Sequence, residues 1–105
     1  MKNFLEETIK KLKTEGKTQK DIKYIQLNDE YCYWEDFEKL ADFIYDNDFG
    51  IPKILLDLKI VGNDFWLERH EYDGAEWWEF KTMPKKPTKY NKNLKLKDME
   101  GLQWN

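Results

Sequence analysis

The chain has 105 residues, of which 40% are hydrophobic and 37% charged, so it can bury one core inside a heavily charged surface. It has no apolar run long enough to cross a bilayer, no apolar stretch of a signal peptide at its start, and one cysteine, Cys32, which cannot form an internal disulfide. These features predict a cytoplasmic protein with no membrane partner.

The net charge of −3 hides an uneven distribution along the chain. Residues 84–105 hold six lysines against Asp98 and Glu100, for +4, so residues 1–83 carry the remaining −7. We therefore divide the chain into a compact acidic domain over 1–84 and a basic, partly flexible tail over 85–105, with a possible anchor at 102–104. The body would repel nucleic acid, whereas the tail could attract it.

The first half of the chain predicts two helices around a hairpin. Asn3 can cap a helix that runs to about Glu15 and stops at Gly16, with one apolar side formed by Phe4, Leu5, Ile9 and Leu12. Strands are expected over 21–27 and 30–33, joined by a turn at Asn28-Asp29. A second helix is expected over 36–47, with apolar residues at helical spacing and an end at 49–52: Phe37, Leu40, Ala41 and Ile44.

Three strands with tight turns follow. We expect strands over 54–61, 65–72 and 75–83, with Gly62-Asn63 and Asp73-Gly74 as two-residue loops and Gly62 at positive φ. The predicted fold is one small α+β domain of order α-β-β-α-β-β-β, in which helices pack on one face of an antiparallel sheet.

This register divides the strand residues between two faces. The predicted core face carries Ile54, Leu56, Leu58, Ile60, Phe65, Leu67, Trp78 and Phe80. The opposite face mixes charge with aromatic rings, and its candidate binding residues are Lys59, Trp66, Glu68, His70, Tyr72, Trp77, Glu79 and Lys81. Lys59 and Lys81 are expected on either side of the Trp66 ring. Such a surface is typical of a protein interface, although the first helix or the tail could equally cover these rings within a monomer.

Recognisable catalytic chemistry is absent from the sequence. It contains no glycine-rich phosphate loop, no CxxC, no HExxH and no GxSxG. A nucleophile pair of Cys32 and His70 is conceivable, but a cysteine is more often a small buried hydrophobe. The sequence therefore predicts no enzyme, no catalytic residue, no metal and no cofactor.

The stretch over 60–81, IVGNDFWLERHEYDGAEWWEFK, and the upstream WEDFEKLAD over 34–42 resemble small uncharacterised proteins of phages and prophages of low-GC Gram-positive bacteria. The resemblance covers roughly residues 20–87 and carries no activity with it. It implies a host bacterial cytoplasm as the setting and, by analogy, an inhibitor of a host protein, with an anti-CRISPR protein against a Cas nuclease as its sharpest version.

We accordingly expect a non-catalytic binding protein, a monomer or small homo-oligomer, whose partner is a host protein such as a nucleic-acid-processing enzyme. Distributed carboxylates can imitate a phosphate backbone in front of a basic channel. The alternative is a nucleic-acid-binding accessory protein that uses the lysine-rich tail and the exposed aromatic rings.

Overall fold

A computed structural model describes residues 1–47 and 53–93. Its helices are α1 (Phe4–Thr14) and α2 (Trp34–Leu40). Its strands are β1 (Lys2–Asn3), β2 (Ile22–Leu27), β3 (Glu30–Cys32), β4 (Ile44–Tyr45), β5 (Lys59–Gly62), β6 (Phe65–Tyr72) and β7 (Ala75–Thr82). The predicted order α-β-β-α-β-β-β is confirmed, and the short pair of β1 and β4 is added to it.

Helix α1 begins and ends where the sequence predicts. The Asn3 side chain accepts a 2.9 Å hydrogen bond from the Glu6 N–H, and Gly16 leaves the helix at φ +75°. The buried stripe differs from the prediction at one position, because Ile9 is exposed and Thr8 is fully buried. Thr8 can lie in the core since its hydroxyl donates to the Phe4 carbonyl and accepts from the Trp78 indole, so neither polar atom is left unpaired.

Helix α2 is shorter than predicted, and the extension to residue 47 is wrong. The chain leaves the helix after Leu40 because its next carbonyls satisfy the free N–H groups of α1: Leu5 N–H donates to Ala41 and Phe4 N–H donates to Phe43. Ile44 then enters β4, opposite Asn3. Leu40 and Ile44, which we expected to face the core, are exposed.

The remaining strands form one antiparallel sheet in the order β3-β2-β5-β6-β7. The pairing of β6 with β7 is the predicted one throughout, from Tyr72 opposite Ala75 to Trp66 opposite Lys81. Its turn places Asp73 at φ +50° and Gly74 at φ +89°, the conformation that suits a two-residue hairpin.

The turn between β5 and β6 lies one residue later than predicted. Ile60 faces Leu67 rather than Phe65, so the loop is Asn63-Asp64. The strands have slipped by two residues, which keeps every side chain on its predicted face. Gly62 is required for space and not for a positive φ, because a Cβ there would lie 2.1 Å from the Phe65 ring.

The predicted strand over 54–61 is only half correct, since β5 begins at Lys59. The backbone N–H of Ile54 donates to the Glu76 carboxylate at 3.0 Å instead of to a neighbouring strand. Ile54 is buried, but Leu56 is exposed and does not belong to the core face. The Glu76 side chain thus takes the place of the backbone carbonyl of a neighbouring strand, which this segment would need in order to be a strand itself.

The core lies between the sheet and the two helices, which pack on the same face of it. Its buried apolar residues are Phe4, Leu12, Ile25, Trp34, Phe37, Ala41, Tyr45, Ile54, Ile60, Phe65, Leu67 and Trp78. Leu58 and Phe80, both predicted core residues, pack against this cluster while remaining partly exposed.

The predicted tail is described up to residue 93, and every residue from 82 to 93 is exposed. The expected helix end at 49–52 and the expected anchor at 102–104 lie outside the described residues. In the described part of the chain, no helix is both long and apolar enough to span a membrane.

Candidate protein-binding face

The side of the sheet that faces away from both helices, which we call the outer face, carries all eight predicted site residues. Because side chains alternate along a strand, it collects residues from all five strands. They are Tyr24, Gln26, Tyr31, Lys59, Val61, Trp66, Glu68, His70, Tyr72, Trp77, Glu79 and Lys81. Of the eight predicted site residues, Tyr72 is well exposed and the other seven are half-buried. Tyr31, which was not predicted, is well exposed too.

Two Trp-x-Glu units on neighbouring strands organise this face. The Trp66 Nε1–H donates to Glu68 Oε1 at 2.6 Å, and the Trp77 Nε1–H donates to Glu79 Oε1 at 2.8 Å. Since β6 and β7 run antiparallel, the two units point in opposite directions and their carboxylates meet as a directly opposed pair. Each indole is therefore held in one orientation by a carboxylate two residues further along its own strand.

Opposed carboxylates repel one another, and the neighbouring groups offset that repulsion. The hydrogen bonds from Trp66 and from His70, whose Nε2 lies 2.7 Å from the carboxylate, lower the pKa of Glu68. The hydrogen bond from Trp77 lowers the pKa of Glu79. The lowered pKa values favour the charged form of both carboxylates, and Lys59 lies opposite Glu68 on the neighbouring strand.

The two lysines do not take the predicted positions around Trp66. Lys81 lies opposite Trp66 as expected, but the two-residue slip of β5 places Lys59 opposite Glu68. The arrangement of Trp66 between two lysines is therefore wrong. Among the described residues, the cation–π contacts belong to Lys17 and Arg69, on the other side of the sheet.

The outer face is not covered by the first helix. Helix α1 packs on the opposite side of the sheet, where the Trp78 indole donates to Thr8 Oγ1 at 2.9 Å. The described part of the tail, to residue 93, is exposed. Within the described residues the aromatic rings of this face are therefore open to a partner.

Cys32 and His70 do not form a nucleophile pair. Cys32 lies opposite the buried Ile25 on the core face of the sheet, whereas His70 lies opposite Trp77 on the outer face. Burial, together with the Asp36 carboxylate, raises the pKa of the Cys32 thiol, which disfavours the nucleophilic thiolate form. Within the described residues, no group of three or more His, Cys, Asp or Glu side chains is placed to hold a metal ion.

An apolar cleft that the sequence did not reveal lies beside β3 and α2, on the core side. Its volume is about 410 Å³. The floor includes Ile25, Phe37 and Ile54, and the exposed side chains at its rim include Leu40, Phe43 and Leu55. The sequence does contain a signal for this cleft. The second helix and the residues that follow it carry more apolar side chains than one buried stripe of a helix can hold, so some of them remain on the surface.

Comparisons with models of protein families, with curated proteins and with solved structures gave no match. The geometry of the outer face is therefore the basis on which a function can be argued.

Proposed function

We propose that this chain is a non-catalytic binding module that docks a partner protein on the outer face of its sheet. The observation that carries the proposal is the pair of Trp-x-Glu units. Trp66 and Trp77 are large apolar rings held in place by hydrogen bonds of 2.6 and 2.8 Å before any partner arrives. Rigid aromatic side chains of this kind lose little conformational entropy on binding and are typical anchors of protein interfaces.

The net charge of the domain that carries this face favours a basic partner. Glu68 and Glu79 meet at the centre of the face, and residues 1–83 carry a net charge of −7. A negative surface steers a positively charged partner during encounter and repels phosphate backbones. This charge pattern supports a partner with a Lys/Arg-lined surface, such as an enzyme that handles nucleic acid.

The finer form of the proposal is an inhibitor that occupies such an enzyme's nucleic-acid channel in a bacterial host. It draws on the resemblance to phage and prophage proteins and on the acidic body, and its sharpest version is an anti-CRISPR protein. The apolar cleft is not assigned this role, because residues 48–52, which connect its neighbourhood to β4, lie outside the described residues.

A paired capture experiment tests the proposal. The wild-type chain and the Trp66→Ala/Trp77→Ala variant are immobilised separately and exposed to lysate of a low-GC Gram-positive bacterium. We expect a protein that wild type retains and the variant does not. For that protein, Trp77→Ala should weaken affinity by ~2 kcal/mol or more while the melting temperature is preserved.

The matched control is Tyr90→Ala, since Tyr90 is an exposed aromatic residue outside the outer face. It should bind the captured protein as wild type does. Equal retention by wild type and the double variant would contradict the proposal, as would loss of binding that simply follows loss of melting.

Nucleic-acid binding is the second candidate, favoured by the open aromatic rings and by two lysines on the same face, Lys81 opposite Trp66 and Lys59 opposite Glu68. Single-stranded binders combine such rings with positive charge, whereas here two carboxylates lie between the tryptophans. A salt titration separates the candidates, because affinity that rests on phosphate contacts falls steeply with salt concentration.

A further inference from the structure

Strand β7 forms one edge of the five-stranded sheet and is long for an edge strand, with eight residues. In an antiparallel pair, every second residue directs its backbone groups toward the neighbouring strand and the residues between direct theirs away. The Glu76 N–H shows which set points outward, because it donates to the Asn47 carbonyl at 2.9 Å and not to β6. Trp78, Phe80 and Thr82 share that parity.

Across the described residues, β7 pairs with β6 alone, and the outward peptide groups of Trp78, Phe80 and Thr82 have no backbone partner. The opposite edge of the sheet is a poor template for another strand because β3, which forms it, has only three residues. No proline or bulge interrupts β7 between its turn and Thr82. Beyond Glu76, β7 is therefore a regular edge without a backbone partner among the described residues, and such an edge is a template for another strand.

We propose that β7 pairs with β7 of a second copy of this chain, antiparallel and around a twofold axis. The two sheets then become one continuous sheet, and the outward groups of both copies bond to one another. A twofold axis suits this contact because the same surface serves on both sides.

Charge complementarity selects the register. With Phe80 at the axis, Glu79 lies opposite Lys81 of the second copy and, by symmetry, Lys81 lies opposite its Glu79. With Glu79 at the axis, two carboxylates would oppose each other, which is destabilising. With Trp78 at the axis, Lys81 would lie opposite Ala75 and would have no charged partner across the contact. Of these three registers, the one centred on Phe80 is the one in which both Glu79 and Lys81 lie opposite a residue of opposite charge.

The partial burial of Phe80 agrees with that register. Its ring stacks on Phe65 at 5.5 Å between centroids, and Phe80 lies on the edge strand, opposite the fully buried Leu67. In the pair, Phe80 of each copy meets Phe80 of the other, so the apolar row on the core face continues across the axis.

Sedimentation equilibrium of the full chain, from micromolar to millimolar concentration and without a binding partner, tests the pairing. We expect a dimer whose dissociation constant rises about tenfold or more in Lys81→Glu and in Glu79→Lys, because two attractive cross-strand pairs become repulsive. The double variant, which exchanges the two charges, should dimerise as wild type does. Lys39→Glu makes the same change in net charge as Lys81→Glu at an exposed position of α2, away from β7, and should not alter the dissociation constant.

Amide hydrogen exchange gives a second readout that is independent of charge. The Phe80 amide should become protected as concentration rises, whereas the Glu79 amide, which points toward β6, should be protected at every concentration. A monomer throughout the range, or a dimer in which Phe80 exchange does not change with concentration, would overturn the proposal. Neither measurement involves the partner of the outer face, so the two proposals fail independently.

Discussion

Arg69 Nη2 lies 3.1 Å from Glu76 Oε1 in the core, where both side chains are closed to solvent. The same guanidinium reaches Glu7 of α1 at 3.3 Å and the Tyr45 hydroxyl of β4 at 3.1 Å, and it lies over the Trp78 ring. One buried cation thus joins a helix and three strands. The cation is buried at no prohibitive cost because two carboxylates compensate its charge.

We expect Glu76→Gln to lower the free energy of unfolding by about 3 kcal/mol or more, since it leaves a buried arginine with one carboxylate fewer. It also weakens the acceptor for the Ile54 N–H, which now meets a neutral amide. Glu71→Gln is the matched control, with the same change in charge at an exposed neighbour on β6. Urea unfolding of both variants measures the difference, and equal stabilities would show that the buried ion pair contributes little.

Gly62 is the second position at which the structure restricts the residue type, because it leaves no room for a side chain. An added Cβ would lie 2.1 Å from the Phe65 ring, which is itself buried and stacked on Phe80 and so cannot easily move. Gly62→Ala should therefore cost about 1–3 kcal/mol through overpacking.

A double-mutant cycle with Phe65→Leu identifies the cause of that cost. If the ring is what the new methyl group meets, the combined variant should lose less stability than the two single losses added together. Simple additivity would point to the backbone of the turn instead of the ring.

The raised pKa of Tyr45 predicts that the protein loses stability at alkaline pH. Burial, and the hydrogen bond that its hydroxyl donates to Glu7, raise the pKa of Tyr45 above its usual range. A folded-state pKa above the unfolded value of about 10 gives stability that is complete below pH ~10 and is lost as pH rises through the folded pKa. Wild type should therefore lose more stability than Tyr45→Phe above pH ~10.

Tyr90→Phe serves as the control for this titration, because Tyr90 is 85% exposed and lies outside the core. Its stability should follow that of wild type across the whole range. Parallel curves for wild type and Tyr45→Phe in urea unfolding at pH 8 to about pH 11 would contradict the assignment to Tyr45.

The β6–β7 hairpin could be predicted residue by residue, because Asp73-Gly74 fixes the register locally and the alternation on both strands agrees with it. The β5–β6 register could not, because Gly62 offered two explanations, a positive φ or a lack of space. Only the packing of Phe65 against it distinguishes them. The faces were still correct, since the slip was an even number of residues.

The errors in α2 and in the segment over 54–58 share a physical cause. In both places backbone groups are bound by distant partners: Ala41 and Phe43 carbonyls by the start of α1, and the Ile54 N–H by Glu76. Local periodicity carries no information about such contacts. The alternation on β6 does place Arg69 on the core face, so a charged residue in an apolar row was the available signal for the buried network.

The two Trp-x-Glu units allow a reciprocal test of the outer face. Because the Trp66 indole is the main cause of the lowered pKa of Glu68, Trp66→Phe should raise that pKa toward its ordinary value. Trp77→Phe should do the same for Glu79. Carboxyl resonances followed by NMR through an acid titration report each residue separately, and each substitution serves as the control for the other.

A lowered folded-state pKa contributes stability that is present above the unfolded value of about 4.3 and is lost as pH falls through the folded pKa. Each variant should therefore lose less stability in acid than wild type does. If both substitutions leave both carboxyl titrations unchanged, the indoles are not held by these carboxylates, and the preordered aromatic face loses its physical basis.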